Sequence, residues 1–210
     1  AAIPAAVPAS RRKRVLGVSE ENLALLVDDR ATKGDFEKYI EQWLPNHVEA
    51  GSKVYVYFSG HGAPDAAKGD SYLVPFDGDP TYIKLTGYSL KRLYAHLGKL
   101  AAASVTVAMD SCFSGAGGRS VLAKGARPLV NIKSDVLPAK LTVLSASGAS
   151  EISNSYQEKG HGLFTYFLLK GMKEKGADFK AAYEYLSPEV ARVARRQYNA
   201  DQTPQWREGK

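Results

Sequence analysis

Two short apolar runs do most to constrain how this chain folds. Lys53 to Ser59 reads KVYVYFS and Ser104 to Met109 reads SVTVAM. Both are rich in β-branched and aromatic residues, which predicts strands buried on both faces. Each runs straight into a small-residue motif, Ser59-Gly60-His61-Gly62 after the first and Asp110-Ser111-Cys112-Phe113-Ser114-Gly115 after the second. Two more apolar runs, Leu23 to Val27 and Leu141 to Ser145, also predict strands, and Tyr72 to Val74 predicts a short one.

Helical signals fall between these strands. Thr32 and Asp35 have the spacing of a helix cap, and Phe36, Tyr39, Ile40, Trp43 and Leu44 follow at helical period until Pro45. Leu90, Leu93, Tyr94, Leu97 and Leu100 mark a second helix, and Phe164, Phe167, Leu168 and Met172 a third. Asp178 caps a helix from Phe179 to Leu186, and Ser187-Pro188 opens a last one. The order predicts an α/β fold with a mostly parallel central sheet and helices on both faces. Working groups in such folds lie at the carboxyl ends of the strands, where both motifs sit.

The 210 residues suffice for one sizeable domain, and no apolar run reaches the length of a membrane helix, so no membrane partner is expected. A formal charge of +6 is moderately basic, but the chain has neither zinc-finger spacing nor an aromatic RNA-binding signature, so no nucleic-acid partner is expected. A single cysteine excludes a disulfide framework and a Cys-rich zinc site. Ala1 to Arg14 reads as an arm or linker before a domain over 15–210, and the initial Ala in place of Met suggests a processed or trimmed chain.

Cys112 lies just past a strand end, where a side chain can face a cleft. His61 lies about 50 residues upstream between two glycines, a separation seen in Cys–His hydrolases. An imidazole beside a thiol favours the thiolate and shuttles its proton. The backbone N–H groups of Gly62 and Cys112 are candidates for holding a tetrahedral oxyanion. Asp110, an acid at a strand end, can cap a neighbouring turn.

LALLVDDRATKGD, VYVYFSGHG, YLVPFDGDP, VAMDSCFSG, LSASGASEIS, EKGHGLFTYFLL and QTPQ occur in this order across nearly the whole chain. By these segments the chain resembles the caspase-like cysteine peptidases of clan CD (peptidase C14), on the bacterial metacaspase-like, or orthocaspase, side. The resemblance implies a caspase-like three-layer sandwich, with a large-subunit-like part over about 15–125 and a small-subunit-like part over about 139–210. It implies Cys112 as nucleophile, His61 as general acid/base, and a substrate groove at Asp110, Ser145 and Ser147. The implied substrates are peptides or proteins cleaved after Arg or Lys, with self-processing in the basic 116–139 loop. His161 in Gly160-His161-Gly162 is then a structural turn, and His47 and His96 carry no role. No cofactor is required. Calcium stays open, with Asp65, Asp70, Asp77 and Asp79 as the available acids, and no other metal is expected. The family's first strand has no counterpart before Leu23, so a missing strand or fragment of the same protein is a further expected partner. The competing reading is a non-catalytic caspase-like interaction domain.

Overall fold

The computed structural model describes residues 16–65, 70–113, 136–148 and 150–210. The arm up to Val15 and most of the 116–139 loop lie outside them. The first helix, α1 (Lys33–Glu37), starts at a capping box. Thr32 Oγ1 accepts from the Asp35 N–H, and the Asp35 carboxylate accepts from the Thr32 N–H. The chain continues as a π-helical stretch, Lys38–Trp43, and a 3-10 segment, Leu44–His47. Pro45 therefore changes the helix type rather than ending it, because the first N–H groups of a helical segment need no partner within it.

The run KVYVYFS forms β1 (Lys53–Ser59); β2 (Gly62–Asp65), which no apolar run marked, pairs with β3 (Asp70–Leu73), which overlaps the short strand expected at Tyr72 to Val74. The short α2 (Ile83–Thr86) and β4 (Tyr88–Ser89) lead into α3 (Leu90–Lys99). β5 (Ser104–Asp110) and β6 (Leu141–Ser145) follow. β7 (Ser155–Tyr156) and β8 (His161–Gly162) form a hairpin that Gly160 closes at φ 66°, which gives the second Gly-His-Gly its structural role. Two helices, α4 (Leu163–Lys175) and α5 (Phe179–Tyr198), and a last strand, β9 (Gln205–Glu208), complete the order.

Among the described residues the main sheet runs β1-β5-β6-β9, with the first three strands parallel and β9 antiparallel. A second small sheet runs β2-β3-β4. One apolar cluster joins Phe36, Tyr88, Leu93 and Leu97 to Val105, Val107 and Val143 on one face of the main sheet. The other joins Ala108 and Leu144 to Phe164, Phe167, Leu186 and Val190 on the opposite face. Alternate residues of β5 thus serve opposite layers, with Val105, Val107 and Met109 on one face and Ala108 on the other. Burying each large side chain contributes roughly 1.5–3 kcal/mol, so these two layers dominate the stabilisation.

Two expectations change. Leu23 to Val27 is extended at both ends but is no strand, because no described strand offers its backbone a ladder. The two helices expected on either side of Ser187 are one helix, α5, with Pro188 in its interior. Leu186, Val190, Val193 and Ala194 are all buried along it, and that packing outweighs the lost backbone bond.

Candidate functional site

β1 and β5 pair so that Ser59 stands opposite Asp110, and the Gly60 N–H donates to the Asp110 carbonyl at 3.3 Å. Both motifs therefore leave the sheet from one edge, side by side. A β-carbon on Gly62 would fall 2.7 Å from the Cys112 carbonyl oxygen and 2.6 Å from the Phe113 ring. Only glycine fits at that crossing.

Cys112 is completely buried. The backbone of Ser153 takes both sides of its sulfur: the Ser153 N–H donates to Sγ at 2.7 Å, and the thiol donates to the Ser153 carbonyl at 3.6 Å. Both contacts turn the sulfur toward the Ser153 backbone, and burial keeps it out of reach of a substrate carbonyl. No histidine is positioned as its catalytic partner, and among the described residues the buried His61 Nδ1 has no hydrogen-bond partner.

Asp110 is also completely buried. One carboxylate oxygen accepts from Ser153 Oγ at 2.7 Å, and the other accepts from the N–H and hydroxyl of Thr165. Thr165 lies in the first turn of α4, whose N-cap is Gly162 and so has no side chain to offer. Asp110 supplies that missing cap from a neighbouring strand, with the favourable charge for a helix N-terminus. Since the Thr165 hydroxyl donates to Asp110, it accepts from the Tyr57 hydroxyl, 2.7 Å away.

The segment sealing the thiol is itself tied down. Ser145 Oγ donates to the Ser147 carbonyl, and Ser147 Oγ to the Glu151 carbonyl. The Glu151 carboxylate accepts from the Gly148 N–H and from both the N–H and hydroxyl of Thr203. Gln202, completely buried, donates to the Ala146 carbonyl at 3.0 Å and accepts from the Asn154 N–H at 2.9 Å. Residues 146–148 and 150–154 therefore form a cover clamped by the chain just before β9. LSASGASEIS and QTPQ contain Ser153, Glu151 and Gln202, but nothing local in these segments marks them as a cover and its clamp. Thr165 was missed because nothing in sequence marks a threonine as the target of a distant cap.

Of the acids proposed for calcium, the Asp65 side chain lies outside the described residues. Asp70 accepts from the Ser71 N–H and Ser89 Oγ, Asp77 from the Lys33 N–H, and Asp79 from the Thr81 N–H. Among the described residues no group of three or more His, Cys, Asp or Glu could hold a metal ion. Among the same residues no helix is long and apolar enough to cross a membrane.

Residues 21–209 match the family of the caspase domain. The chain belongs to that family. The fold of this caspase-family chain is similar to that of protein GSU0716 from Geobacter sulfurreducens, with a TM-score of 0.60 at 23% identity over 89% of this chain and 76% of that one. It is also similar to Caspase-1 from Spodoptera frugiperda, with a TM-score of 0.50 at 14% identity over 84% of this chain and 68% of that one. No curated protein matches the chain in sequence.

Family membership does not carry the activity with it. The expected cysteine endopeptidase, acting through a His61–Cys112 dyad, is not what this site forms: its one thiol is buried and bonded to the Ser153 backbone, and no histidine is positioned for catalysis beside it. The hydrolase and thiol-protease readings fall with the dyad, as does self-processing in the 116–139 loop. Oxyanion binding by the Gly62 and Cys112 N–H groups presupposed the same dyad. Recognition of Arg or Lys is not shown by the inward-turned Asp110 carboxylate.

Proposed function

We propose that this caspase-family chain is a non-catalytic protein-interaction domain. The observation that carries the reading is the Cys112 sulfur, fully buried and engaged on both sides by the Ser153 backbone. A nucleophile for acyl transfer must reach a carbonyl carbon and must have given up its proton. Here the same polar groups that would assemble a catalytic centre join a helix cap, a strand end and a cover into one structural network. The sequence motifs favour the bacterial metacaspase-like branch for this domain.

The test compares the chain with its Cys112→Ala variant on an Arg-terminated fluorogenic peptide, alongside iodoacetamide labelling. Expected are equal background rates and a native thiol that labels only after unfolding in urea. Hydrolysis present in the chain and lost in Cys112→Ala would overturn the reading.

A further inference from the structure

Resting on the interaction-domain reading, we infer that the end of the main sheet where its parallel strands begin, opposite the Cys112 end, binds an acidic segment of a separate polypeptide. The fold gathers lysines there from every layer. β1 starts at Lys53, which stands opposite Ser104 at the start of β5. On one face α3 stops at Lys99, and the Leu100 carbonyl that follows accepts from the Lys140 ammonium, just before β6. On the other face α4 starts beside Asp110, and its 13 residues run about 20 Å back toward the strand starts, with Lys173 and Lys175 in the last turn. α5 starts there too: Phe179 stacks on Tyr55, two residues into β1, and Lys180 follows it. β9 runs antiparallel, so Lys210 follows it at the same end.

Over the described residues Asp and Glu outnumber Lys and Arg, so this end is a local excess of positive charge and not a sample of the general surface. Glu49, Glu174, Asp178 and Glu208 lie at the same end, but two of them are engaged. Asp178 accepts from the Ala181 N–H as the cap of α5, and Glu208 accepts from the Trp206 indole. Lys180 in turn lies over the Trp206 ring at 4.8 Å. That leaves Lys53, Lys99, Lys173, Lys175 and Lys210, all exposed and none with an ion-pair partner among the described residues. Arginines elsewhere are paired: Arg92 with Glu37 and Glu41, Arg192 with Glu189, and Arg195 with Asp201. Like charges gathered at one end repel one another, and an anionic partner relieves that repulsion while steering its own approach.

The chemistry also selects the occupant. The cations gathered here are lysines. Planar, two-oxygen recognition of phosphate is the work of arginine forks, and the carboxylates set among the lysines repel a uniformly charged phosphate backbone. An acidic polypeptide, whose carboxylates are spaced by neutral residues, can meet the ammonium groups one at a time and leave gaps at Glu49 and Glu174. The segments of this chain outside the described residues do not fit, since they carry nine Lys and Arg and one acid, Asp135. A second copy meeting the first end to end would bring lysine against lysine. Crossing the three layers takes roughly 30 Å, which an extended segment of about ten residues spans.

The test is fluorescence anisotropy of a labelled peptide, Ser-Glu-Glu-Ser-Asp-Glu-Ser-Glu-Glu-Ser, titrated with the whole chain. Two triple variants remove the same charge from exposed sites: Lys53→Gln, Lys99→Gln and Lys175→Gln at this end, and Lys38→Gln, Lys91→Gln and Lys159→Gln elsewhere. Far-ultraviolet circular dichroism checks that both fold. The first triple should weaken binding roughly tenfold and the second less than about threefold, and added salt should weaken binding to the parent chain. On the parent chain the peptide should shift NMR amide signals mainly around Lys53, Lys99, Lys140 and Lys175. Three results would overturn the inference: no binding at millimolar peptide, equal weakening by the two triples, or tighter binding of oligodeoxythymidylate or phosphatidylserine vesicles that the first triple abolishes, which would assign the end to a nucleic acid or a membrane. The fluorogenic-peptide assay judges the non-catalytic reading separately. Hydrolysis there, with acidic-peptide binding intact, would overturn that reading alone, whereas equal weakening by the two triples would overturn this one alone.

Discussion

At the scale of single residues, the deciding side chain is Asp110, more than Cys112. It sits where a substrate-selecting carboxylate was expected, yet both oxygens turn inward, to Ser153 and to the first turn of α4. Asp110→Asn keeps the shape but removes the charge and turns one acceptor into a donor facing other donors. An unsatisfied buried group costs about 1–3 kcal/mol, and the lost cap adds to it. The expected outcome is a urea midpoint lowered by an amount equivalent to roughly 2–4 kcal/mol, with the slope unchanged. A midpoint within experimental error of the parent chain would mean that the carboxylate is not holding α4. The sequence made Asp110 visible as a strand-end acid and offered both a pocket and a cap. It could not choose between them, because the choice depends on Gly162, which lies 52 positions away and lacks the side chain that would have made the cap local.

At the scale of elements, the joint between the π stretch and α3 rests on Glu41. Arg92 Nε approaches one carboxylate oxygen at 2.7 Å and the Tyr88 hydroxyl donates to the same oxygen at 2.8 Å, while Arg92 also donates to the other. Burial works to raise the Glu41 carboxyl, but the bonds from Arg92 and Tyr88 outweigh it and hold the group below the usual glutamate value. Burial, reinforced by the Glu41 carboxylate, pushes the Tyr88 phenol well up. A depressed carboxyl contributes stability in full above its unfolded value of about 4.3 and loses it as pH falls toward the folded one. Glu41→Gln should therefore lower stability at pH 7 by roughly 1–2 kcal/mol and flatten the acid limb of the stability profile below about pH 4.3. An unchanged acid limb would remove Glu41 from the joint. Elements of this kind were legible wherever periodicity and burial agree: β1, β5, β6, α3 and α4 stand where KVYVYFS, SVTVAM, LTVLS and the leucine and phenylalanine stripes placed them. The failures share a cause. Leu23 to Val27 has the composition of a strand without a neighbour, Pro188 has the signal of a start without a break, and β9 is four residues whose only strong cue is its pairing with β6. Each depends on a partner far away in sequence.

At the scale of the whole molecule, the far end of the chain governs the centre. Gln202 and Thr203 clamp the cover that carries Ser153, and β9, immediately after them, closes the sheet against β6. Gln202→Leu keeps the volume close to native but leaves the Ala146 carbonyl and the Asn154 N–H without their partner. It should raise the native labelling rate of Cys112 by roughly tenfold or more, with the far-ultraviolet circular dichroism unchanged. Labelling as slow as in the parent chain would show that the cover holds without the clamp. This arrangement also sets an order of events during synthesis. Cys112 and its strand are made long before residues 202–208, and at about 5–20 residues per second the ribosome takes roughly 5–20 s to deliver the clamp. Throughout that interval Cys112 has no finished shelter, so the passage from ribosome to folded domain is when it is most open to oxidants and to disulfide exchange.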